Sequence, residues 1–371
     1  MKRTVPSCVL ALLVLVELAY PADQPKKSSE TPPDKSPAIA NPATTQSKAP
    51  PLSALEIVQD KPSNEMASYR LRIRQLYNES RFAELEALAE KARTKKARFS
   101  NGSWEIHQFY QAVECRRSEP ESAWQLHDSI NKKWIEAMPE SITARVVEAG
   151  FLVDYAWNAR GSGYSNTVKD EGWRLMAERL TEAQKVLSEA KKLKSQCVMW
   201  WNVQMTVALG QDWERAKYDE LFAEAKAFEP EFWSFDVKRA YYLLPRWHGE
   251  PGDWEAAAEK EIDRPGLGAE AYARVVMNQR VYYKQNIFTE TKASWLKTRE
   301  GMEILHRKYP DSQEILNSYV QFAGMSGDRP VARKLFDEIG GRFYPKSWSN
   351  QDRFFQDRNW AYEDAPQAVA K

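Results

Sequence analysis

From Met66 onward, apolar residues recur at spacings of three and four, and no alternating run of β-branched residues interrupts them. That period puts the apolar groups on one face of successive helices, so the pattern predicts an all-α chain. Tyr69, Ile73, Leu76 and Tyr77 form the first stripe; Phe82, Leu85, Leu88, Ala89 and Ala92 form the second, with a polar turn between them. Further helices are predicted near 103–116, 120–137, 141–159, 170–193, 197–209, 213–227, 231–244, 253–263, 268–285, 292–308, 312–325 and 329–339.

A weak internal repeat runs through these helices. Ser80-Arg81-Phe82-Ala83, Gln211-Asp212-Trp213-Glu214 and Gly252-Asp253-Trp254-Glu255 each join a helix end to an aromatic helix start. Ala208-Leu209-Gly210, followed by Trp213, Ala216, Phe222, Ala225 and Glu229-Pro230, looks like a tetratricopeptide unit; Gly327-Asp328 with Ala332, Leu335 and Phe336 is a fainter copy. The period is degenerate. The expectation is a tetratricopeptide-like array of antiparallel helix pairs, wound as a right-handed α-superhelix over residues 65–345, with a concave groove lined by the first helix of each pair. Residues 346–371 read as a C-terminal tail.

The start of the chain follows another logic. Lys2 and Arg3 precede the apolar run Val9–Val16, which Glu17 interrupts before Tyr20-Pro21-Ala22. Basic end, short apolar core and small-residue region are the order of a secretory signal over residues 1–22, and the core is too short for a spanning helix of about 20 residues. The expected location is therefore exported, periplasmic or extracellular, with membrane contact only if the signal stays uncleaved. Cys8 lies before the apolar core, where a lipid-acceptor cysteine would not. Residues 23–64 are dominated by Pro, Ser, Thr, Ala and Lys and read as a disordered tether.

Composition narrows the functional classes. The chain carries 53 Lys and Arg against 52 Asp and Glu, and loss of residues 1–22 removes Lys2, Arg3 and Glu17, leaving no net charge. Nucleic-acid binding by phosphate neutralisation is not expected of such a balance. With four His, and with Cys115 and Cys197 on separate predicted helices, neither a metal site nor another cofactor is indicated, while a thiol pair stays open. No G-x-S-x-G, Walker, H-E-x-x-H or dinucleotide motif occurs. Fourteen Trp and sixteen Tyr supply large apolar area with a polar handle, which suits both packed helices and binding walls.

Four segments together resemble the bacterial family called domain of unknown function 4034. They are LYNESRFAELEALAEKAR (76–93), FSNGSWEIHQFYQAVE (99–114), AWNARGSGY (156–164) and LPRWHGEPGDWE (244–255). The resemblance covers about residues 66–260. It implies a helical domain on exported or envelope-associated proteins, and it implies no catalytic residues.

Two helix-end corners concentrate candidate binding chemistry. The first holds Tyr155, Trp157, Asn158, Arg160 and Tyr164 around Gly161-Ser162-Gly163, where an arginine beside aromatics suits a bidentate grip on an anionic group. A helix C-cap with Arg160 paired to a neighbouring helix is the structural alternative. The second corner holds Arg246, Trp247, His248 and Asp253. His248 with Asp253 has the composition of a proton-transfer pair; the competing explanation is that Asp253 caps the next helix while Trp247 and Trp254 form a seam. Trp200 and Trp201, adjacent on a helix and so about 100° apart, are expected to split between core and groove. The favoured reading is a non-enzymatic module binding a protein or peptide through Trp157, Arg160, Tyr164, Arg246, Trp247 and His248. An envelope glycan-binding module is the rival, and an enzyme using Arg160, Arg246 and His248 comes third.

Overall fold

The computed structural model describes residues 49–363, apart from Ser53 and Tyr164. The signal at 1–22, the tether as far as 48, and the end of the tail lie outside the described residues. The described chain is an all-α helical repeat. Its helices are α1 (Lys61–Asn78), α2 (Phe82–Lys95), α3 (Glu105–Val113), α4 (Glu121–Ala137), α5 (Ile142–Arg160), α6 (Asp170–Ala190), α7 (Val198–Gly210), α8 (Arg215–Phe228), α9 (Ser234–Tyr242), α10 (Asp253–Lys260), α11 (Ala269–Gln279), α12 (Ile287–Glu290), α13 (Trp295–Lys308), α14 (Gln313–Ser326), α15 (Arg329–Ile339) and α16 (Gln351–Tyr362). Every helix expected from apolar spacing is present. None of the described helices is long and apolar enough to cross a membrane.

Hairpins α5/α6, α7/α8, α9/α10, α11/α13 and α14/α15 stack in sequence, with α5, α7, α9 and α11 packed side by side as an inner row. One continuous core runs through them, and its largest fully buried side chains include Trp124, Trp134, Trp254, Tyr218 and Tyr242. Trp200 and Trp201 are both largely buried and meet edge-on at 5.4 Å, because α7 is enclosed by α6, α8 and α9 and has almost no polar face; Trp200 nevertheless lines a groove between α6, α7 and α8, whereas Trp201 stacks on Phe228. Cys115 and Cys197 are buried free thiols.

The loop between α2 and α3 turns inward and touches the middle of the array. Trp233 Nε1 donates to the Gly102 carbonyl at 3.5 Å, and Arg274 Nη2 donates to the Asn101 carbonyl at 3.1 Å. Gly102 has φ +80°, and a Cβ there would lie 2.3 Å from the Arg274 guanidinium. Only glycine permits both the turn and that approach.

Two sequence boundaries are corrected. Residues 49–60 are no tether: Glu56–Ile57 (β1) pair in parallel with Arg342–Phe343 (β2), and Leu52 and Leu55 pack on the core. Residues 346–363 are no free tail, since α16 packs on α15 and buries Phe354, Arg358 and Ala361. Asp60 joins the two regions. Its Oδ2 accepts from the amide and hydroxyl of Ser63, capping α1, and its Oδ1 accepts from the amide of Gln313, adding to the Ser312 cap of α14. Arg358 adds a bond to the Pro50 carbonyl at 2.7 Å. The first and last helices of the array are thereby tied together.

Because a helix N-cap contributes about 1 kcal/mol, Asp60→Ala is expected to cost about 2 kcal/mol, twice an ordinary cap. Asp60→Asn keeps one acceptor oxygen and should cost less. Urea midpoints at constant slope measure both.

Candidate functional site

The two motif corners meet. Helix α5 ends at Arg160, whose guanidinium turns back to donate to the carbonyls of Gly161 (3.3 Å) and Gly163 (3.0 Å). The same group lies over three indoles: Trp157 at 5.7 Å, Trp173 at 5.2 Å and Trp247 at 6.0 Å. Trp247 comes from the turn after α9 and meets Trp157 edge-on, with centroids 5.8 Å apart. Helix α7 lies between α5 and α9 but ends at Gly210, where a Cβ would stand 2.7 Å from Leu180 and 3.4 Å from Trp157. The missing side chain leaves room for Trp157 over the end of α7.

Arg246 extends the row. It is exposed, and its guanidinium lies 5.3 Å from the Tyr241 ring, 6.0 Å from Trp247 and 4.7 Å from Tyr282. The result is a ledge of alternating cations and rings running from Trp173 and Arg160 through Trp157 and Trp247 to Arg246 and Tyr282. Arg160 is 8% exposed and belongs to the ledge's floor; Trp247, Trp173 and Tyr282 keep open surface. Tyr164 lies outside the described residues.

His248 is turned away from the ledge. Its ring stacks on Tyr242 at 4.3 Å, and Nε2 lies 3.4 Å from Asp212. Trp247 follows Tyr241 while His248 follows Tyr242, and adjacent helical residues point about 100° apart. Asp253 is also engaged elsewhere, accepting from the Glu250 amide and pairing with Arg215 at 2.6 Å. It does not cap α10; Gly252, with φ +102°, holds that position. The His248–Asp253 pair considered from sequence is therefore not formed.

A polar cluster continues the inner face. Asp154 lies one turn before Trp157 on α5, and Lys238 one turn before Tyr241 on α9. Lys238 Nζ donates to Thr206 Oγ1 on α7 at 2.6 Å. Glu114, at the end of α3, is open to solvent, and Asp154 and Lys238 are partly so. The protein crowding around them still strips hydration: it raises the carboxyls of Glu114 and Asp154, the latter also through repulsion from Glu114, and pushes the Lys238 ammonium down to about 8 against the pull of the two carboxylates. Burial, reinforced by repulsion from Arg116, also lowers Arg70 and Arg74.

Arg74 is held from two sides. It donates to the Glu114 carbonyl and, at 3.0 Å, to His127 Nε2. A guanidinium only donates, so His127 is neutral with its proton on Nδ1, facing the Tyr77 oxygen at 3.2 Å; Tyr77 in turn donates to Asn131. Loss of hydration, then the Arg74 charge, lowers His127 to about 4. Sequence reading missed this cluster, since a charge on an amphipathic helix normally marks its wet face. It also passed over Tyr241 and Tyr282, whose only sequence signal was their place beside the corner.

The geometry defines a class: an all-α helical-repeat domain with an aromatic and cationic inner ledge. Residues 69–212 match the family described as Domain of unknown function (DUF4034). The match takes in the first three of the four resembling segments and stops before the fourth, 244–255. No curated protein and no solved structure matches the chain. Among the described residues, no group of three His, Cys, Asp or Glu is placed to hold a metal ion.

The His127 contribution has a definite sign. In the unfolded chain this imidazole protonates near the ordinary 6.5, in the folded one near 4. Its stabilisation is complete above pH 6.5 and lost as pH falls toward 4. His127→Gln should therefore flatten that part of the stability-against-pH curve, measured as the difference between the two proteins' urea midpoints from pH 7 to pH 4.

Proposed function

We propose that the domain binds a segment of a protein or peptide along the ledge formed by Arg160, Trp247, Arg246 and Tyr282. The meeting of two corners more than eighty residues apart, with Trp157 against Trp247, carries this reading. A half-open indole and a phenol flanked by an exposed guanidinium form the kind of anchor patch that dominates protein interfaces: apolar burial supplies the free energy, and the arginine supplies direction. The polar cluster of Lys238, Asp154 and Glu114 beside it offers charges of both signs to the partner's polar groups. A catalytic role for His248 gains no support from its distance from the ledge or from Asp253's other partners.

We further propose that the protein acts outside the inner membrane, on the basic, apolar and small-residue order of residues 1–22. Cell fractionation should find the chain in the envelope or the medium; full-length protein confined to the cytosol contradicts this.

The ledge reading is tested by selecting peptides on the immobilised domain and titrating the winners. Arg246→Ala should weaken binding about tenfold or more. The same change should leave the fold within about 0.5 kcal/mol, as exposed substitutions usually do. Trp254→Ala removes a fully buried indole bonded to Tyr283 and should cost about 3–5 kcal/mol without bearing on recognition itself. Selected peptides whose affinity ignores Arg246→Ala and Trp247→Ala would place binding elsewhere.

A further inference from the structure

A groove of about 500 Å3 opens between α6, α7 and α8 and shares no lining residue with the ledge. Its size falls within the range of small-molecule sites. Two indoles wall it, Trp200 from α7 and Trp213 from the turn before α8. A lysine ammonium lies over each ring: Lys191 Nζ is 4.9 Å from Trp200, and Lys217 Nζ is 3.4 Å from Trp213. Between the walls, two amides bind each other. Gln184 Nε2 donates to Gln204 Oε1 at 3.0 Å, and Gln204 Nε2 donates back to Gln184 Oε1 at 2.7 Å. This reciprocal pair uses one N–H and one lone pair of each amide; the other N–H of Gln184 reaches Ser188 Oγ at 3.5 Å, and each amide oxygen keeps a second lone pair. Gln204 is 2% exposed, so a rigid donor and acceptor pair lies at the base. Lys191, Lys192 and Lys217 outnumber Glu220 and Glu224 along the rim, and Glu224 is already paired with Lys191 at 3.0 Å.

We propose that this groove binds an acidic saccharide, a glycan segment whose rings carry carboxylates as uronic acids do. The C–H face of a sugar ring lies flat on the half-exposed Trp213 indole, its hydroxyls bridge the amide pair, and its carboxylate meets the rim lysines. Charge decides between acidic and neutral sugars. A ring stacking on Trp213 displaces the Lys217 ammonium, a weakly held contact at an exposed site. A carboxylate on the ligand gives that ammonium a new partner, whereas a neutral sugar gives it none. A peptide fits less well, because it needs a free main-chain edge or an apolar slot for a helix, and the base here is polar and paired with itself.

The test titrates the full chain with trigalacturonate and with its methyl ester, by calorimetry and by tryptophan fluorescence. Trigalacturonate should bind saturably, about tenfold or more tighter than the ester. Lys217→Ala, at an exposed position, should abolish that preference, Gln184→Leu should weaken both sugars, and Arg246→Ala on the separate ledge should change neither. The proposal is overturned by absence of saturable binding, by equal affinity for acid and ester, by indifference to Lys217→Ala, or by loss of binding in Arg246→Ala, which would move the sugar to the ledge.

Discussion

One buried carboxylate holds both ends of the array. Asp60, 1% exposed, accepts from Ser63 at the start of α1 and from Gln313 at the start of α14, residues 250 positions apart. Each helix start presents unpaired amides and the positive end of its dipole, so a single negative group between two such ends satisfies both. A stack of helical hairpins left open would let its curvature vary, because each repeat contacts only its neighbours. The cap, the β1/β2 pairing and the Arg358 bond to Pro50 remove that freedom. The inner face, and the spacing of whatever lines it, then depends on this closure.

The ledge is a product of that fixed spacing. Arg160 and Trp247 come from hairpins that do not adjoin in sequence, and they meet because α7 ends in Gly210 and leaves space over its last turn. Guanidinium groups over indoles are stabilised most where water is partly excluded, which describes Arg160 better than Arg246. The first is built in; the second is presented. Lys238, Asp154 and Glu114 continue the face with charges whose hydration the surrounding protein has reduced, so an incoming polar group faces a smaller desolvation cost on the protein's side.

Helix positions were legible because apolar spacing survives wherever a helix buries a stripe. Helix α16 escaped for the complementary reason: its packing face is built from Phe354, Arg358 and Ala361, and a buried arginine breaks the apolar period. The start of α1 did carry a signal, Asp60 followed by Pro62, an N-cap and a first-turn proline, hidden by the Pro-rich composition around it. At the site, the two corners were recognisable as clusters of arginine and aromatics at helix ends. Their adjacency was not, since it depends on α7 lying between α5 and α9 and stopping at Gly210. Nor was the parting of Trp247 from His248, which follows from which of two consecutive tyrosines each one packs against.

The proposed binding surface requires two distant helix ends to act together. Hydrogen exchange on the full chain, with and without a selected peptide, measures this most directly. Protection is expected to rise together at residues 157–163 and 241–249 and to stay unchanged at the α6–α8 groove. Protection at one corner alone, or at neither, would contradict it.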